Sequence, residues 1–414
     1  MRNWLQGLWR AAAAECRGIP GRPQEWITCA LMPLVWCLVV VGIFGSGLMR
    51  GIPVALVNED GGPLAREVVM TLDAVPSLAL RGFESRIDAE ASLRRADTYA
   101  TIVIPKHFTR DSLNGRGATI ELTVSKTYYA VSTILELDIK SALASLQAAA
   151  GTVKMTAARG GTLEANSERL RIQMPEVYFM GNTAFNFSAY LVPTLVPGLL
   201  ALAAALTFGG LFVREWRDGG IGRLTQTAGG SPSAALFGKL LPWLIFYLLL
   251  GEGWVLGFAG VLGWGASGSL LIWSAGTALL ILASASIALF FTAFSPTWVI
   301  ALSAVICFFA PTFPFTGFSY PFDSMTPGAA FFGHLLPLTH YLALQSQCWV
   351  LGSPAAHSLG TLSILGLFVL LPAAAGLPFY LARQRRAAAL EEKGARLLAA
   401  ARKSGEFSDR GDAR

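Results

Sequence analysis

Long apolar stretches dominate the pattern along this chain. They recur at about 26–49, 188–212, 240–263, 269–293, 298–318 and 357–382, each near the roughly 20 residues that an α-helix needs to cross a bilayer core. The pattern predicts six membrane-spanning helices. A cleaved secretory signal is the competing reading of the first stretch, but that would carry an apolar core of about 7–15 residues and a small-x-small cleavage site. Trp26 to Met49 fits neither requirement and reads as an uncleaved anchor. Ahead of it, Trp4, Leu5, Leu8, Trp9 and Ala12 fall at helical spacing, with Arg2, Asn3, Gln6 and Arg10 elsewhere. This predicts an interfacial helix within residues 1–25; an ordinary solvated helix is the alternative.

The segment 50–185 has a different texture. Ile52-Pro-Val-Ala-Leu-Val-Asn58 is a short apolar run ended by the turn-forming Asn58-Glu-Asp-Gly-Gly-Pro63. Leu64 to Ala74 reads as a helix, Ser77 to Arg81 as a strand, Ile87 to Arg95 as a helix, and Tyr99 to Ile104 as a strand stopped by Pro105. Ala118 to Ser125 alternates as a further strand, and Tyr128 to about Leu170 turns helical and Ala-rich. This order predicts a small α/β domain with a mixed sheet, followed by long helices that either brace it or contact a periplasmic adaptor. Cys16, Cys29, Cys37, Cys307 and Cys348 all lie outside it, so it holds no internal disulfide.

Charge sharpens this layout. Of 414 residues only 14% are charged and 53% are hydrophobic, against about 25% charged in soluble globules, which argues against a soluble enzyme. Gly51 to Met180 carries 14 Lys/Arg and 15 Asp/Glu, so the basic excess belongs to the segments flanking the spans. That excess is the one expected on the cytoplasmic side of membrane proteins, and it disfavours nucleic acid as a partner. Arg2, Arg10, Arg17 and Arg22 precede the first span, Arg214, Arg217, Arg223 and Lys239 follow the second, and Arg383, Arg385 and Arg386 open the tail 383–414. Both termini are therefore expected inside, with the α/β domain outside. The fold class is a mainly α-helical membrane protein, with six transmembrane helices and an external α/β domain inserted between helices 1 and 2.

Between the fifth and sixth spans, Pro311 to Pro337 holds five prolines and three glycines among aromatics and cannot form one helix. Such backbone survives at membrane depth only where protein or a water-filled cavity satisfies it, so a re-entrant helical segment is expected there. Candidates for a translocation path or gate are Glu252, Phe309, Phe313, Phe315, Gly317, Pro321, Asp323, Pro337, His340 and Tyr341. A carboxylate within a span is costly unless it faces a partner or water, so Glu252 is either a cation-recognising site or a hydrogen-bonded structural residue. Asp323 is expected to cap a short helix. His334 and His340 lack companion ligands, which argues against a metal site. No nucleophile elbow or triad motif stands out.

Four stretches carry a family resemblance over roughly residues 1 to 385. Ile52 to Asp60, Ala100 to Phe108, Arg214-Glu-Trp-Arg-Asp-Gly219 and Phe315-Thr-Gly-Phe-Ser-Tyr-Pro321 with Pro337-Leu-Thr-His-Tyr341 are similar to blocks of the permease half of type-2 ABC exporters, the drug and lipid efflux branch. Gly220 and Gly222 depart from the family's more usual Thr and Glu. The resemblance implies a bacterial inner-membrane permease that extrudes an amphipathic or lipophilic compound and pairs with a second half, identical or homologous. Gly230 through Lys239 does not fit a Walker A loop, so the chain is expected to bind no cofactor itself. ATP and Mg would enter through separate cytoplasmic ABC ATPase subunits. The coupling element implied is Val213 to Leu224, with Arg214, Glu215, Arg217, Asp218, Gly219 and Arg223; the alternative is that these arginines set topology and touch membrane lipids. The rival class is a non-transporting envelope protein anchored by its spans.

Overall fold

The computed structural model describes residues 2–44, 50–113, 119–125, 129–159, 187–218, 221–261, 266–318 and 320–403. They divide into two compact units, Met1–Gly45 with Ser188–Arg414, and Ser46–Phe187.

The first unit opens with α1 (Arg2–Gly18). Its packed face is Trp4, Gly7, Leu8, Ala11, Ala12 and Glu15, seated in part against Ala228, Ala234 and Ala235. The expected apolar face is therefore rotated: Leu5 and Trp9 are 46% and 64% exposed. The reason is distance. A Cβ on Gly7 would collide with the Ala228 carbonyl, and one on Gly238 would lie 2.6 Å from the Ala11 Cβ. Small residues take the crossing and the bulky ones flank it. Next comes α2 (Pro23–Ile43), the first long apolar helix, interrupted by a π-helical turn at Ile27–Leu31.

The second unit is an α/β module. In chain order it comprises β1 (Ile52–Asn58), α3 (Pro63–Asp73), β2 (Leu78–Phe83), α4 (Arg86–Arg94), β3 (Ala100–Ile104), α5 (Phe108–Leu113), β4 (Glu121–Val124) and α6 (Tyr129–Arg159). Strand order is β2-β1-β3-β4, parallel across β2, β1 and β3, with β4 antiparallel to β3. The period-2 alternation of a strand sends Val54 and Leu56 to one face, against Val68 and Leu72 of α3 and Leu135 and Ile139 of α6. It sends Ala55 and Val57 to the other, against Ala89 of α4. Full burial of such aliphatic side chains contributes about 1.5–3 kcal/mol each. Asp60 closes the turn after β1, accepting from the Thr109 amide at 2.8 Å and hydroxyl at 2.5 Å. These bonds hold its carboxyl below the ordinary Asp range. The short helix α5 follows the stop at Pro105. The reach of the Ala-rich helices beyond residue 159 lies outside the described residues.

The chain then rejoins the first unit with α7 (Phe187–Asp218), α8 (Ile221–Thr227), α9 (Pro232–Leu256) and α10 (Leu270–Phe294). After them come α11 (Trp298–Phe309), α12 (Thr312–Phe315), α13 (Pro327–His334), α14 (Pro337–Ser346) and α15 (Ala355–Lys403). Helix α10 is the axis: Trp273, Leu280, Ile281, Ala288 and Leu289 are buried around its circumference, as expected of a helix apolar on all sides. Gly276 admits the Leu344 side chain and Gly376 brings α15 onto the Phe290 backbone, where a Cβ would stand 3.0 Å from the Phe290 Cα. Among the described residues, five helices are long and apolar enough to cross a membrane: Pro23–Ile43, Leu191–Arg217, Pro232–Gly260, Leu270–Phe294 and Ala355–Gly394. The stretch at 298–318 is not one long helix. It contains the 12-residue α11, then Pro311 and the four-residue α12.

Beyond α12 the backbone is broken as the prolines require. Gly317 has φ +76, and a Cβ there would run into the Phe322 ring. That ring stacks on His334 at 4.4 Å. The Thr339 hydroxyl donates to the Gly333 carbonyl at 2.7 Å, tying α13 to α14. Asp323 does not act as the expected cap: it lies inside the 3-10 turn Phe322–Ser324, and the residue at the N-cap of α13 is Thr326, without a side-chain bond.

Candidate functional site

Four helices of the first unit meet at a charged joint. Arg214, near the end of α7, donates to both oxygens of Glu15 on α1, at 2.8 and 2.5 Å, and to Glu25 at the start of α2, at 3.0 Å. Arg22 stands 3.0 Å from Glu25 and 3.5 Å from Glu15. Glu215 accepts from Lys239 of α9, whose ammonium also donates to the Leu211 carbonyl. The Trp243 indole donates to Glu15 at 3.2 Å. Charges this deep persist only when paired and hydrogen-bonded, and here three acids, Glu15, Glu25 and Glu215, meet three bases, Arg22, Arg214 and Lys239. Burial pushes the Glu15 carboxyl up, but the hydrogen bonds and charge of Arg214, with Trp243 and Arg22, outweigh it and hold the acid below its ordinary value.

Above this joint, α2, α7 and α9 enclose a groove of about 550 Å³. Met32, Trp36, Leu199, Leu202 and Leu206 form apolar walls, while Glu25, Arg214 and Arg217 supply charge. The π-helical turn of α2 brings Thr28 and Cys29 to the lining. The Cys29 carbonyl accepts from the Tyr247 hydroxyl at 2.7 Å, and Thr207 shares that hydroxyl at 2.8 Å.

Among the residues expected to face an ATPase, Arg214 and Glu215 point inward and find their partners within this chain. Arg217 lines the groove and Arg223 is exposed on α8. Asp218 closes α7, its side chain undescribed, and Gly219 lies outside the described residues. Lys239, counted from sequence as a loop charge, is 1% exposed inside α9. The segment from α7 into α8 is braced instead from α15: the Gly222 amide donates to Glu391 at 2.7 Å, and Arg383 lies over the Trp216 ring at 3.6 Å.

The candidate path residues differ in burial and in partners. Glu252 is half-buried in the last turns of α9 rather than at mid-helix, because the helix begins at Pro232. Tyr341 is buried on α14, its hydroxyl accepting from the Trp273 indole at 3.1 Å and meeting Thr277 at 3.0 Å. Phe309 and Pro337 are buried, Phe313, Phe315 and Gly317 half-buried, and Pro321 and Asp323 exposed. The His340 ring meets the His334 carbonyl at 3.0 Å. Among the described residues no group of three or more His, Cys, Asp or Glu is placed to hold a metal.

Sequence reasoning missed Glu15 and Glu25. One signal was available: Glu15 falls in helical register with Trp4, Leu8 and Ala11, an acid on the packed face of an amphipathic helix.

Long apolar helices and a broken segment between α11 and α14 define a multi-pass membrane protein. Residues 24–377 match the family model described as ABC-2 family transporter protein, and the chain belongs to that family. It is thus a membrane subunit of ABC-type transport, a class that works with an ABC ATPase. No characterised protein matches the chain.

Proposed function

We propose that this chain is the permease half of an ABC-type exporter, moving an amphipathic or lipophilic compound outward from the cytoplasm or the inner leaflet. The observation that carries the proposal is the family match across 24–377. In this reading both termini are cytoplasmic in a bacterial inner membrane, the second unit is external, and α11 with α12 makes the fifth of six crossings. The chain pairs with a second permease half, and ATPase subunits bound beneath α8 supply the work. Arg214 and Glu215 then act as positioning residues: they lock α1, α2 and α9 to α7, so that a push on α8 moves the four helices as one body.

Co-purification with the ABC ATPase encoded nearest to it, followed by reconstitution in proteoliposomes, tests the proposal. Stimulated ATPase activity together with ATP-dependent movement of a lipophilic dye is expected. A stable, well-folded permease that binds no ATPase and moves nothing would favour the anchored envelope protein instead.

A further inference from the structure

Two prolines, Pro193 and Pro197, lie inside α7. A proline has no N–H to give to the carbonyl four residues before it, so a helix loses one backbone rung at each. Pro197 thereby leaves the Pro193 carbonyl without a partner in its own helix. Where water is excluded such a group is costly, and a neighbouring helix has to satisfy it. Here the donor comes from the broken segment. The side-chain amide of Gln345 on α14, 152 residues further along the chain, donates to the Pro193 oxygen at 2.8 Å. Gln345 is 2% exposed, and its own side-chain oxygen accepts no hydrogen bond among the described residues. The buried amide is spent on the rung that Pro197 removed.

Shape agrees with this pairing. A Cβ on Gly198 would stand 3.2 Å from the Leu338 Cδ2, so the turn after Pro197 is pared down where α14 lies against it. Leu338 and Gln345 are two helical turns apart and share one face of α14. They meet α7 at Gly198 and Pro193, which sets the two helices in antiparallel order along the weakened stretch. On its other side α14 is tied to α13 through Thr339 and Gly333, and a Cβ on Gly333 would come within 2.7 Å of the Phe322 ring. Further along, α7 carries Arg214 and Glu215 of the charged joint. One hydrogen bond therefore links the helix that bears the joint to the segment that the prolines break.

We infer that Gln345 is a latch on a proline hinge in α7. With its amide on Pro193, the turns of α7 around Pro197 and the α13–α14 segment move together. With the amide withdrawn, α7 bends at Pro197 independently of that segment. Interhelical hydrogen bonds in membranes favour the closed arrangement by roughly threefold to thirtyfold. Such a bias sets a resting geometry, yet a ligand or partner that prefers the open form can reverse it. The latch stands on the geometry of this chain; only its place in transport, where it passes movement of the joint to the broken segment, rests on the export reading.

Hydrogen–deuterium exchange of the full chain in nanodiscs, read by mass spectrometry, tests the inference. Gln345→Met keeps the length of the side chain and removes the donor. Exchange should quicken by about threefold or more both in the α7 peptides around Pro197 and in those of α13 and α14, with α10 unchanged. Pro197→Ala returns an N–H to the Pro193 carbonyl, so Gln345→Met/Pro197→Ala should restore the parent rate in α7 while α14 stays fast. A packing defect left by methionine would not be repaired from α7 in this way. Parent rates in both segments of a folded Gln345→Met protein would overturn the latch, as would a double variant whose α7 exchanges as fast as in the single one. If Gln345→Met fails to fold, Gln345→Asn, one methylene shorter, is judged by the same two outcomes. In proteoliposomes with the ABC ATPase, Gln345→Met should keep the stimulated ATPase activity and slow dye movement by about threefold or more. Dye movement equal to the parent's would remove the latch from the transport cycle. A parent that moves no dye would count against the exporter alone.

Discussion

Replacing Arg214 by alanine tests whether the joint holds α1 to the bundle. The two side chains of its central pair are 11% and 3% exposed, so the pair lies away from solvent. Removing Arg214 strands Glu15 with the Trp243 indole and with Arg22, which stands 3.5 Å off and is 33% exposed. Breaking one partner of a buried pair costs about 3–5 kcal/mol, and that range is expected for Arg214→Ala. Glu15→Ala should cost less, about 1.5–3 kcal/mol, because Arg214 keeps Glu25 at 3.0 Å and Glu215 at 3.6 Å. The double variant leaves neither charge stranded, so it should fall short of the summed single costs by about 1.5–3 kcal/mol. SDS-driven unfolding in mixed micelles, followed by circular dichroism, measures all three. Additivity within about 0.5 kcal/mol, the behaviour of independent sites, would refute the argument that Glu15 and Arg214 form one unit.

Three further outcomes are expected. The folded protein holds Glu15 below its ordinary value of 4.5, so its carboxylate stabilises the fold above that pH, and the stabilisation drains away as pH falls through the folded value. The difference in unfolding midpoint between parent and Glu15→Gln should accordingly be constant near neutrality and shrink in acid; a difference that grows in acid would reverse the sign of the argument. Gly238→Val should cost about 1–3 kcal/mol by overpacking and make α1 selectively cleavable by protease, since its Cβ would press on the Leu8 carbonyl and the Ala11 Cβ. Gly317→Ala should lower thermal stability by about 1–3 kcal/mol through left-handed strain, while the isosteric control Gly328→Ala, with open space around it, should not.

Local pattern made the α/β module legible. Val54 to Val57 is buried on both faces, so β1 reads as a continuous apolar run, and Pro105 marks the end of β3 because it cannot continue the ladder. The long helices were legible for the same reason, as runs of nonpolar residues. Hydropathy counts residues and not backbone continuity, which is why 298–318 looked like a single helix although Pro311 and Gly317 divide it. It also weights Leu5 and Trp9 above Gly7, whereas a close helix crossing selects for small side chains. The joint itself was out of reach: Glu15 and Arg214 are 199 residues apart, and each taken alone resembles an ordinary interfacial charge. Lys239 was read as a topology signal because nothing in its neighbours announces that Glu215 comes to meet it.

The last helix has a mechanical consequence. Forty-nine residues in one helix, α15, extend about 70 Å at ~1.5 Å per residue, well over twice the depth of a bilayer core. Along that rod lie the α10 axis, the Trp216–Arg383 stack and the Glu391 grip on Gly222. Pro372 and Pro378 lie within its apolar half, so a bend in the rod is expected there, while the turns from the Arg383 stack to Glu391 continue without proline to the side of α8.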